Sequence, residues 1–137
     1  MIILLDTNII VDIISRRDGY SESLQVMRYC ETGAAKGFIT AKTVTDLMYI
    51  LRKHIEPDSV REAVQTLLAI LDVTDVLKSD ITNAFKSEMK DYEDAVQASC
   101  AARIKADYIV TRNFKDFIKS PVPPIRPGDM AELLQAR

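Results

Sequence analysis

The sequence has little of the chemistry that zinc sites and covalent catalysis require. It contains one histidine, His54, and two cysteines, Cys30 and Cys100, in 137 residues. The two cysteines do not have the spacing of zinc ligands, and no Ser, Cys or His lies in the pattern of an activated nucleophile. We expect both thiols to be buried structural groups and His54 to be solvated near the end of a helix. A zinc enzyme and a covalent mechanism are both disfavoured.

The sequence also lacks long apolar runs, repeats and low-complexity tracts. None of its apolar stretches approaches the length that crosses a bilayer. The N-terminus is apolar from its first residue, has no basic leader and meets an acid at position 6, which is unlike a signal peptide. We therefore expect one cytoplasmic domain over residues 1–137, with no membrane segment and with reduced cysteines.

An excess of positive charge is missing as well, since the formal net charge is -2. This balance does not indicate a nucleic-acid-binding protein. An enzyme that acts on RNA would need divalent cations to mask its acids and a local collection of basic residues. The basic residues that could form such a rim are Arg16, Arg17, Arg52, Lys53, Arg112, Lys115 and Lys119.

Strand-like and helix-like segments alternate along the chain, as judged from apolar periodicity and from the positions of Gly and Pro. The predicted strands are residues 2–5, 38–40, 73–77 and 108–110, with a weak edge strand at Ile125. The predicted helices are residues 9–15, 21–30, 43–54, 57–71, 80–90, 93–105, 113–118 and 127–135. This alternation predicts an α/β fold in which helices cover both faces of a parallel sheet of four to five strands.

Asp6 is the most informative residue. It follows the short apolar run of residues 2–5 and precedes Thr7 and Asn8, whose side chains suit a helix start. Burying a carboxylate at the mouth of a strand is costly unless a cation or a hydrogen-bond donor meets it. Ligands of open parallel sheets bind at the carboxyl ends of the strands. The pattern therefore predicts a metal ligand at Asp6.

Further acids are distant in sequence but lie near predicted helix starts or after a strand. Asp46 belongs to an amphipathic helix, and Asp116 follows the predicted fourth strand. Asp91 and Asp94 have the spacing of a capping-box-like pair at the start of another helix. The pattern alone leaves two interpretations of Asp94 open, a helix-capping residue and a metal ligand. The positive end of the helix favours a carboxylate in either case.

These acids occur together with specific sequence stretches. The opening LLDTN (residues 4–8) and the closing ADYIVTRNFKDF (106–117) enclose EDAVQASCAARIKA (93–106). This arrangement resembles the PIN-domain ribonucleases, a family that includes the toxins of VapBC toxin–antitoxin pairs, and the resemblance covers nearly the whole chain. It implies a three-layer α/β/α sandwich with strand order 3-2-1-4-5. In that order the first and fourth strands are neighbours, which the periodicity alone does not establish.

The resemblance also implies an activity, the metal-dependent hydrolysis of RNA phosphodiester bonds. Clustered carboxylates without Cys or His select Mg²⁺ or Mn²⁺ over zinc. The expected catalytic residues are Asp6, Asp46, Asp94 and Asp116, with Asp6 and Asp94 as the primary metal ligands. The residues expected to orient them are Asn8, Asp91, Thr111 and Asn113. The residues expected to contact RNA are Arg16, Arg52, Arg112 and Lys115. The implied partners are an antitoxin whose segment fills the crevice and a second copy of the chain in a homodimer.

The sequence departs from the family pattern at two positions. Asp46 stands where the family usually has Glu, and Asn113 stands where many members have an acid. Whether Asn113 or Asp116 fills the fourth acidic position therefore stays open, as does the number of metal ions. Asp116 has a further interpretation, an ion pair with Lys119. Asp12 is expected to form only a surface ion pair with Arg16, four residues later.

Two other functions remain as alternatives. The departures at Asp46 and Asn113 are compatible with a PIN-like domain that binds RNA or a protein partner without cleaving. A signalling receiver domain also combines a parallel α/β fold with an acidic metal site. A receiver, however, needs a pair of acids after the first strand, an aspartate after the third and a lysine after the fifth. In this sequence Asp6 stands alone after the first strand, Asp75 falls within the predicted third strand, and Arg126 replaces the lysine.

Overall fold

A computed structural model describes residues 1–137 and contains five strands, seven α-helices and one 3₁₀ helix. The strands are β1 (Ile2–Leu5), β2 (Lys36–Thr40), β3 (Asp72–Thr74), β4 (Tyr108–Val110) and β5 (Pro124–Ile125). The α-helices are α1 (Thr7–Ser15), α2 (Tyr20–Glu31), α3 (Ala41–Leu51), α4 (Pro57–Ile70), α5 (Lys78–Phe85), α6 (Tyr92–Arg103) and α7 (Pro127–Gln135), and the 3₁₀ helix spans Phe114–Phe117. The predicted α/β class is confirmed. None of the helices combines the length and apolarity that a membrane crossing requires.

All five strands are parallel and lie in the order β3-β2-β1-β4-β5. The central strand is β1, whose Leu4 pairs with Phe38 of β2 and with Ile109 of β4. This order confirms the one that the family resemblance implied. Receiver domains have the order 2-1-3-4-5, in which the third strand is internal. Because β3 is an edge strand here, the receiver hypothesis is wrong.

The sheet separates two hydrophobic cores, because successive side chains of a strand point to opposite faces. Ile3 and Leu5 of β1 belong to the larger core, which also contains residues of α1, α2, α3, α4 and α7. Leu4 and Ile109 belong to the smaller core, with residues of α5, α6 and the 3₁₀ helix. The predicted three-layer sandwich is confirmed.

Both cysteines are buried, as predicted. Burial raises the pKa of the Cys30 thiol to about 11 and that of the Cys100 thiol to about 12. Cys30 packs against Gly37 of β2 so closely that a Cβ built on Gly37 would lie 2.7 Å from Cys30 Sγ and 2.6 Å from Leu71 Cδ2. The glycine therefore sets the distance between β2 and the helices above it.

The segment between β3 and α6 differs most from the prediction. The strand predicted to reach residue 77 ends at Thr74, and the helix predicted over 80–90 spans Lys78–Phe85. The helix begins earlier because Asp80 Oδ2 accepts a hydrogen bond from the Leu77 N–H at 2.9 Å. Arg103 binds both the Asp80 carboxylate and the carbonyl oxygen of Asp75. These contacts hold the chain away from the sheet after Thr74.

Asp12 is a fully buried residue, and its predicted surface ion pair with Arg16 is wrong. Helix α1 ends at Ser15, and Arg16 follows it in the left-handed conformation with φ 51°. The Asp12 carboxylate instead lies 2.7 Å from Nε of Arg112 and 3.9 Å from Nη1 of Arg17. Burial raises the pKa of Asp12, while Arg112 and Arg17 oppose that rise. An ion pair thus links α1 to the segment that follows β4.

Candidate active site

Asp6 is held at the carboxyl end of the central strand. Its N–H donates to the Val110 carbonyl at 3.0 Å, which continues the pairing of β1 with β4. Its carboxylate is almost fully buried, and Oδ2 accepts a hydrogen bond of 2.9 Å from the Thr111 hydroxyl. Burial raises the pKa of Asp6, the Thr111 hydrogen bond opposes the rise, and the charge of Asp116 adds to it. The carboxylate is therefore fixed in position and lacks a cationic partner.

Thr111 is fully buried directly after β4. Its hydroxyl oxygen also accepts a hydrogen bond from the Asn113 N–H at 3.0 Å, which directs the hydroxyl proton toward Asp6. The hydrogen bond from Thr111 thus holds the Asp6 carboxylate in one orientation. The predicted short helix after this turn is a 3₁₀ helix, and it carries Asp116. The Asn113 and Asp116 side chains are both exposed.

Asp94 lies in the first turn of α6, close to Asp6. Asp91 is the N-cap residue, since its Oδ1 accepts a hydrogen bond from the Asp94 N–H at 3.0 Å. Burial raises the pKa of Asp94 to about 7, and repulsion from Asp6, Asp91, Asp116 and Glu93 contributes to the rise. Asp6, Asp94 and Asp116 therefore come from three separate parts of the chain to one acidic region.

A small cavity of about 140 Å³ opens beside Asp6 and Asp94. Its lining consists of Asp6, Thr7, Asn8, Lys42, Asp46, Ile50, Glu93, Asp94 and Gln97. We call it the carboxylate cavity. Asp116 lines a neighbouring cavity of about 420 Å³, together with Asp91, Lys115 and Lys119. Lys119, the cation that the sequence suggested as a partner for Asp116, instead has its Nζ 4.0 Å from Glu88 Oε2. The hypothesis of an Asp116–Lys119 ion pair is therefore wrong.

Lys42 also lines the carboxylate cavity, although it was not among the predicted site residues. Its Nζ lies 2.5 Å from Asp46 Oδ2, one helical turn along α3, and 3.6 Å from Glu93 Oε1 of α6. Burial disfavours the charged form of Lys42, but the hydrogen bond and the attraction of Asp46 outweigh that effect and raise its pKa. The spacing of four residues between Lys42 and Asp46 is a sequence signal for such a pair. Asp46 therefore lines the cavity as half of an ion pair.

Gln97 was also missed. It is 5% exposed, and its Nε2 donates to Thr43 Oγ1 at 3.2 Å and to Thr7 Oγ1 at 3.4 Å. Its Oε1 is buried without a hydrogen-bond partner. A buried acceptor that lacks a partner costs free energy, so this oxygen suits a cation or a water molecule. The spacing from Asp94, three residues along α6, places Gln97 on the same helix face and could have identified it.

The ligand atoms that the carboxylate cavity offers are of the chemical type that a hard divalent cation binds. Asp6, Asp94 and Gln97 offer only oxygen atoms, which Mg²⁺ and Mn²⁺ prefer. The unpartnered Gln97 Oε1 gives such an ion one neutral oxygen beside the acids. No three His, Cys, Asp or Glu side chains are already spaced as a metal site. The side chains of Asp6 and Asp94 must therefore move closer together to share a metal ion. In the absence of an ion, the repulsion between the two carboxylates opposes that movement.

The basic residues proposed for RNA binding are dispersed. Arg16 and Lys115 are exposed, and Arg52 stacks on the Tyr49 ring at 4.1 Å. Arg112 is half-exposed but is tied to the buried Asp12. Of this set, Lys115 lies closest to the acids, since it lines the same cavity as Asp116.

Comparison with known proteins places the chain in a family. A model of the PIN domain matches residues 2–115. A chain of VapBC2 from Rickettsia felis, solved with a promoter DNA fragment, has a TM-score of 0.71 and 21% identity, covering 92% of this chain and 98% of that one. A chain of DNA-bound VapBC from Salmonella typhimurium has a TM-score of 0.72 and 17% identity, covering 93% and 98%.

A third structure is a sarcin-ricin loop cleaving toxin from Mycobacterium tuberculosis. It has a TM-score of 0.66 and 10% identity, and the match covers 83% of this chain and 92% of that one. No curated protein matches the sequence. The structural matches share the fold at low identity, while the domain model covers most of the chain. The strand order and the acidic region at the end of β1 agree with the match of the domain model to residues 2–115. The chain therefore belongs to the PIN-domain family.

Proposed function

We propose that the protein is a metal-dependent endoribonuclease that hydrolyses RNA phosphodiester bonds. The observation that supports this most strongly is the acidic region in which burial and the charge of Asp116 raise the pKa of Asp6, and burial and the charges of Asp6 and Asp116 raise the pKa of Asp94. Buried, mutually repelling carboxylates in a cleft are costly to the fold and are typical of functional sites. Phosphodiester hydrolysis by a hard cation uses such carboxylates and needs no protein nucleophile.

Asp6 and Asp94 would hold a Mg²⁺ or Mn²⁺ ion, and the unpartnered carbonyl oxygen of Gln97, which lines the same cavity, would be a neutral donor. Such an ion, when bound, polarises a phosphoryl oxygen and lowers the pKa of water. Thr111 keeps Asp6 in one orientation through its hydrogen bond. Asp91 caps α6 and so fixes the backbone that carries Asp94. Asp116, the exposed acid of the set, would orient the attacking water.

We propose a substrate class and a partner by analogy with the same relatives. The Mycobacterium tuberculosis toxin cleaves the sarcin-ricin loop, and the Rickettsia felis and Salmonella typhimurium chains come from VapBC structures. By this analogy RNA would be the substrate and an antitoxin the partner, and the family resemblance adds a homodimer as the assembled form. The cavity of about 420 Å³ beside Asp116 offers Lys115 and Lys119 to the phosphates that flank the scissile bond.

A second candidate function is a PIN domain that binds RNA or protein without cleaving. The Lys42–Asp46 ion pair favours it, because Lys42 already neutralises an acid that the catalytic set would use. The two functions differ in their dependence on Asp6. A non-catalytic domain needs Asp6 for neither metal nor chemistry.

The test is cleavage of RNA by wild type, Asp6→Asn and Asp72→Asn in Mn²⁺ and in EDTA. Asp72 serves as the control because it is an exposed aspartate at the start of the edge strand β3, at the opposite end of the strands from Asp6. We expect wild type and Asp72→Asn to cleave only with Mn²⁺ and Asp6→Asn to lose at least about 100-fold in rate. Full activity in Asp6→Asn would refute the proposal. Micromolar RNA binding by a wild-type protein that never cleaves would establish the second function instead.

A further inference from the structure

Lys42 places a fixed positive charge among the acids of the carboxylate cavity. Its ammonium group is the only cation among the cavity-lining residues, beside the acids Asp6, Asp46, Glu93 and Asp94. The side chain is 28% exposed, so it is partly enclosed by the protein. It contacts acids on two helices, at 2.5 Å from Asp46 on α3 and 3.6 Å from Glu93 on α6.

The acids that line the cavity therefore fall into two groups. Asp46 and Glu93 are paired with Lys42. Asp6 and Asp94 have no cationic partner, and the buried Oε1 of Gln97 beside them has no hydrogen-bond partner of any kind. The cavity oxygens that Lys42 does not neutralise are therefore those of Asp6, Asp94 and Gln97. They can serve one divalent ion.

Lys42 already occupies the part of the carboxylate cavity next to Asp46 and Glu93. Two-metal phosphodiesterases hold their ions about 3.5–4 Å apart, and the second ion would have to displace Lys42 from Asp46.

We propose that the ammonium group of Lys42 occupies the place of a second divalent cation, so that this centre binds one metal ion. Lys42 acts as a positioning residue that keeps Asp46 and Glu93 neutralised and away from the metal. The inference rests on the proposed metal-dependent function, but it concerns the number of ions rather than the reaction. It also explains how Asp46, which is one methylene shorter than the usual Glu, serves the site without reaching the metal.

The test counts Mn²⁺ ions in the full-length protein without RNA, by calorimetric titration and by electron paramagnetic resonance of the frozen complex. Two ions at about 4 Å give a spin-coupled signal that one ion cannot give. The variants are Lys42→Gln, which removes the charge, Lys42→Arg, which keeps it, and Lys36→Gln. Lys36 is a matched control because it also pairs with an aspartate, Asp72, but lies at the start of β2, at the opposite end of the strands from the carboxylate cavity.

We expect one ion in wild type, Lys42→Arg and Lys36→Gln, and two spin-coupled ions in Lys42→Gln. Any other count in wild type overturns the inference, and so does the same count in wild type and Lys42→Gln. Two ions in Lys42→Arg would show that charge is not the cause, which also overturns it. Thermal melts of each variant verify that the counted protein is folded.

The outcome is separable from that of the proposed function. If wild type cleaves RNA with Mn²⁺ but Lys42→Gln still binds one ion, the inference fails and the nuclease function stands. If the ion count doubles in Lys42→Gln but no RNA is cleaved, the inference stands and the nuclease function fails. The ion count needs no substrate, so an incorrect choice of RNA does not affect it.

Discussion

Asp94→Asn should stabilise the metal-free protein at neutral and alkaline pH, although it removes a candidate metal ligand. The pKa of Asp94 is raised from 3.8 to about 7 by burial and by the neighbouring acids. Between these two values the folded protein holds a proton that the unfolded chain has lost. The free energy of unfolding therefore falls as pH rises from about 4 to about 7 and is constant with respect to this group above that range. Asparagine mimics the protonated carboxyl and does not suffer this loss.

The structure sets the size of the effect. Each pH unit between the folded and unfolded pKa corresponds to about 1.4 kcal/mol, so a rise from 3.8 to about 7 gives a ceiling of about 4 kcal/mol. Asp94 is only partly buried, and solvent screens its repulsion with Asp6 and Asp116. We expect about half of the ceiling, or roughly 2 kcal/mol in favour of Asp94→Asn at pH 8. The difference should shrink toward zero near pH 4.

Urea unfolding followed by circular dichroism, in EDTA and at several pH values from 4 to 8, measures this difference. Asp129→Asn is the matched control, because Asp129 is the third residue of α7 as Asp94 is the third residue of α6. Both changes remove the same interaction with a helix N-terminus, and Asp94 in addition is repelled by Asp6, Asp91, Asp116 and Glu93. A stability difference that does not vary with pH would refute the argument, and so would destabilisation by Asp94→Asn at pH 8.

Three further predictions concern the rest of the structure. Arg112→Gln should lower the free energy of unfolding by about 3 kcal/mol, because the buried Asp12 carboxylate would keep only the more distant Arg17 as a partner. The control Arg16→Gln should change the free energy of unfolding by less than about 0.5 kcal/mol. Equal effects in urea unfolding would contradict the buried ion pair. Both thiols should resist a disulfide reagent at pH 8 until the protein unfolds, since burial raises their pKa values to about 11 and about 12; rapid labelling of folded protein would show that one is accessible. Gly37→Ala should cost roughly 1–3 kcal/mol, because its Cβ would meet Leu71 and Cys30 at less than 3 Å, and an unchanged melting temperature would mean that these side chains move away freely.

Much of the fold could be predicted because local patterns determine it. The apolar run before Asp6 gave β1 with its bounds, and Pro57 and Pro127 begin their helices as expected. The neighbouring positions of β1 and β4 depend on long-range pairing, which periodicity does not contain. That part came from the family resemblance. The end of β3 was missed because contacts of Arg103, about 30 residues away, decide it.

The candidate site likewise contains residues that the sequence could predict and residues that only long-range contacts determine. The acids at 6, 94 and 116 could be selected from sequence, because carboxylates at strand ends and helix starts need a reason to be there. The Lys42–Glu93 pair and the unpartnered Gln97 oxygen could not, because they depend on how the N-terminal parts of α3 and α6 approach each other in three dimensions. Asp12 was misjudged for a related reason. Its partner Arg112 is 100 residues away, while Arg16 is near in sequence and turned aside by the end of α1.

The central place of β1 has a consequence for how the protein loses function under stress. Asp6 is attached to a strand with neighbours on both sides, and its own amide is tied to Val110. Asp46 and Asp94 are carried by helices that cover opposite faces of the sheet. Transient opening of either helix would remove one acid and leave Asp6 where it is. In hydrogen-exchange experiments we expect the Asp6 amide to be among the slowest to exchange, and metal affinity to fall at urea concentrations where the sheet is still intact.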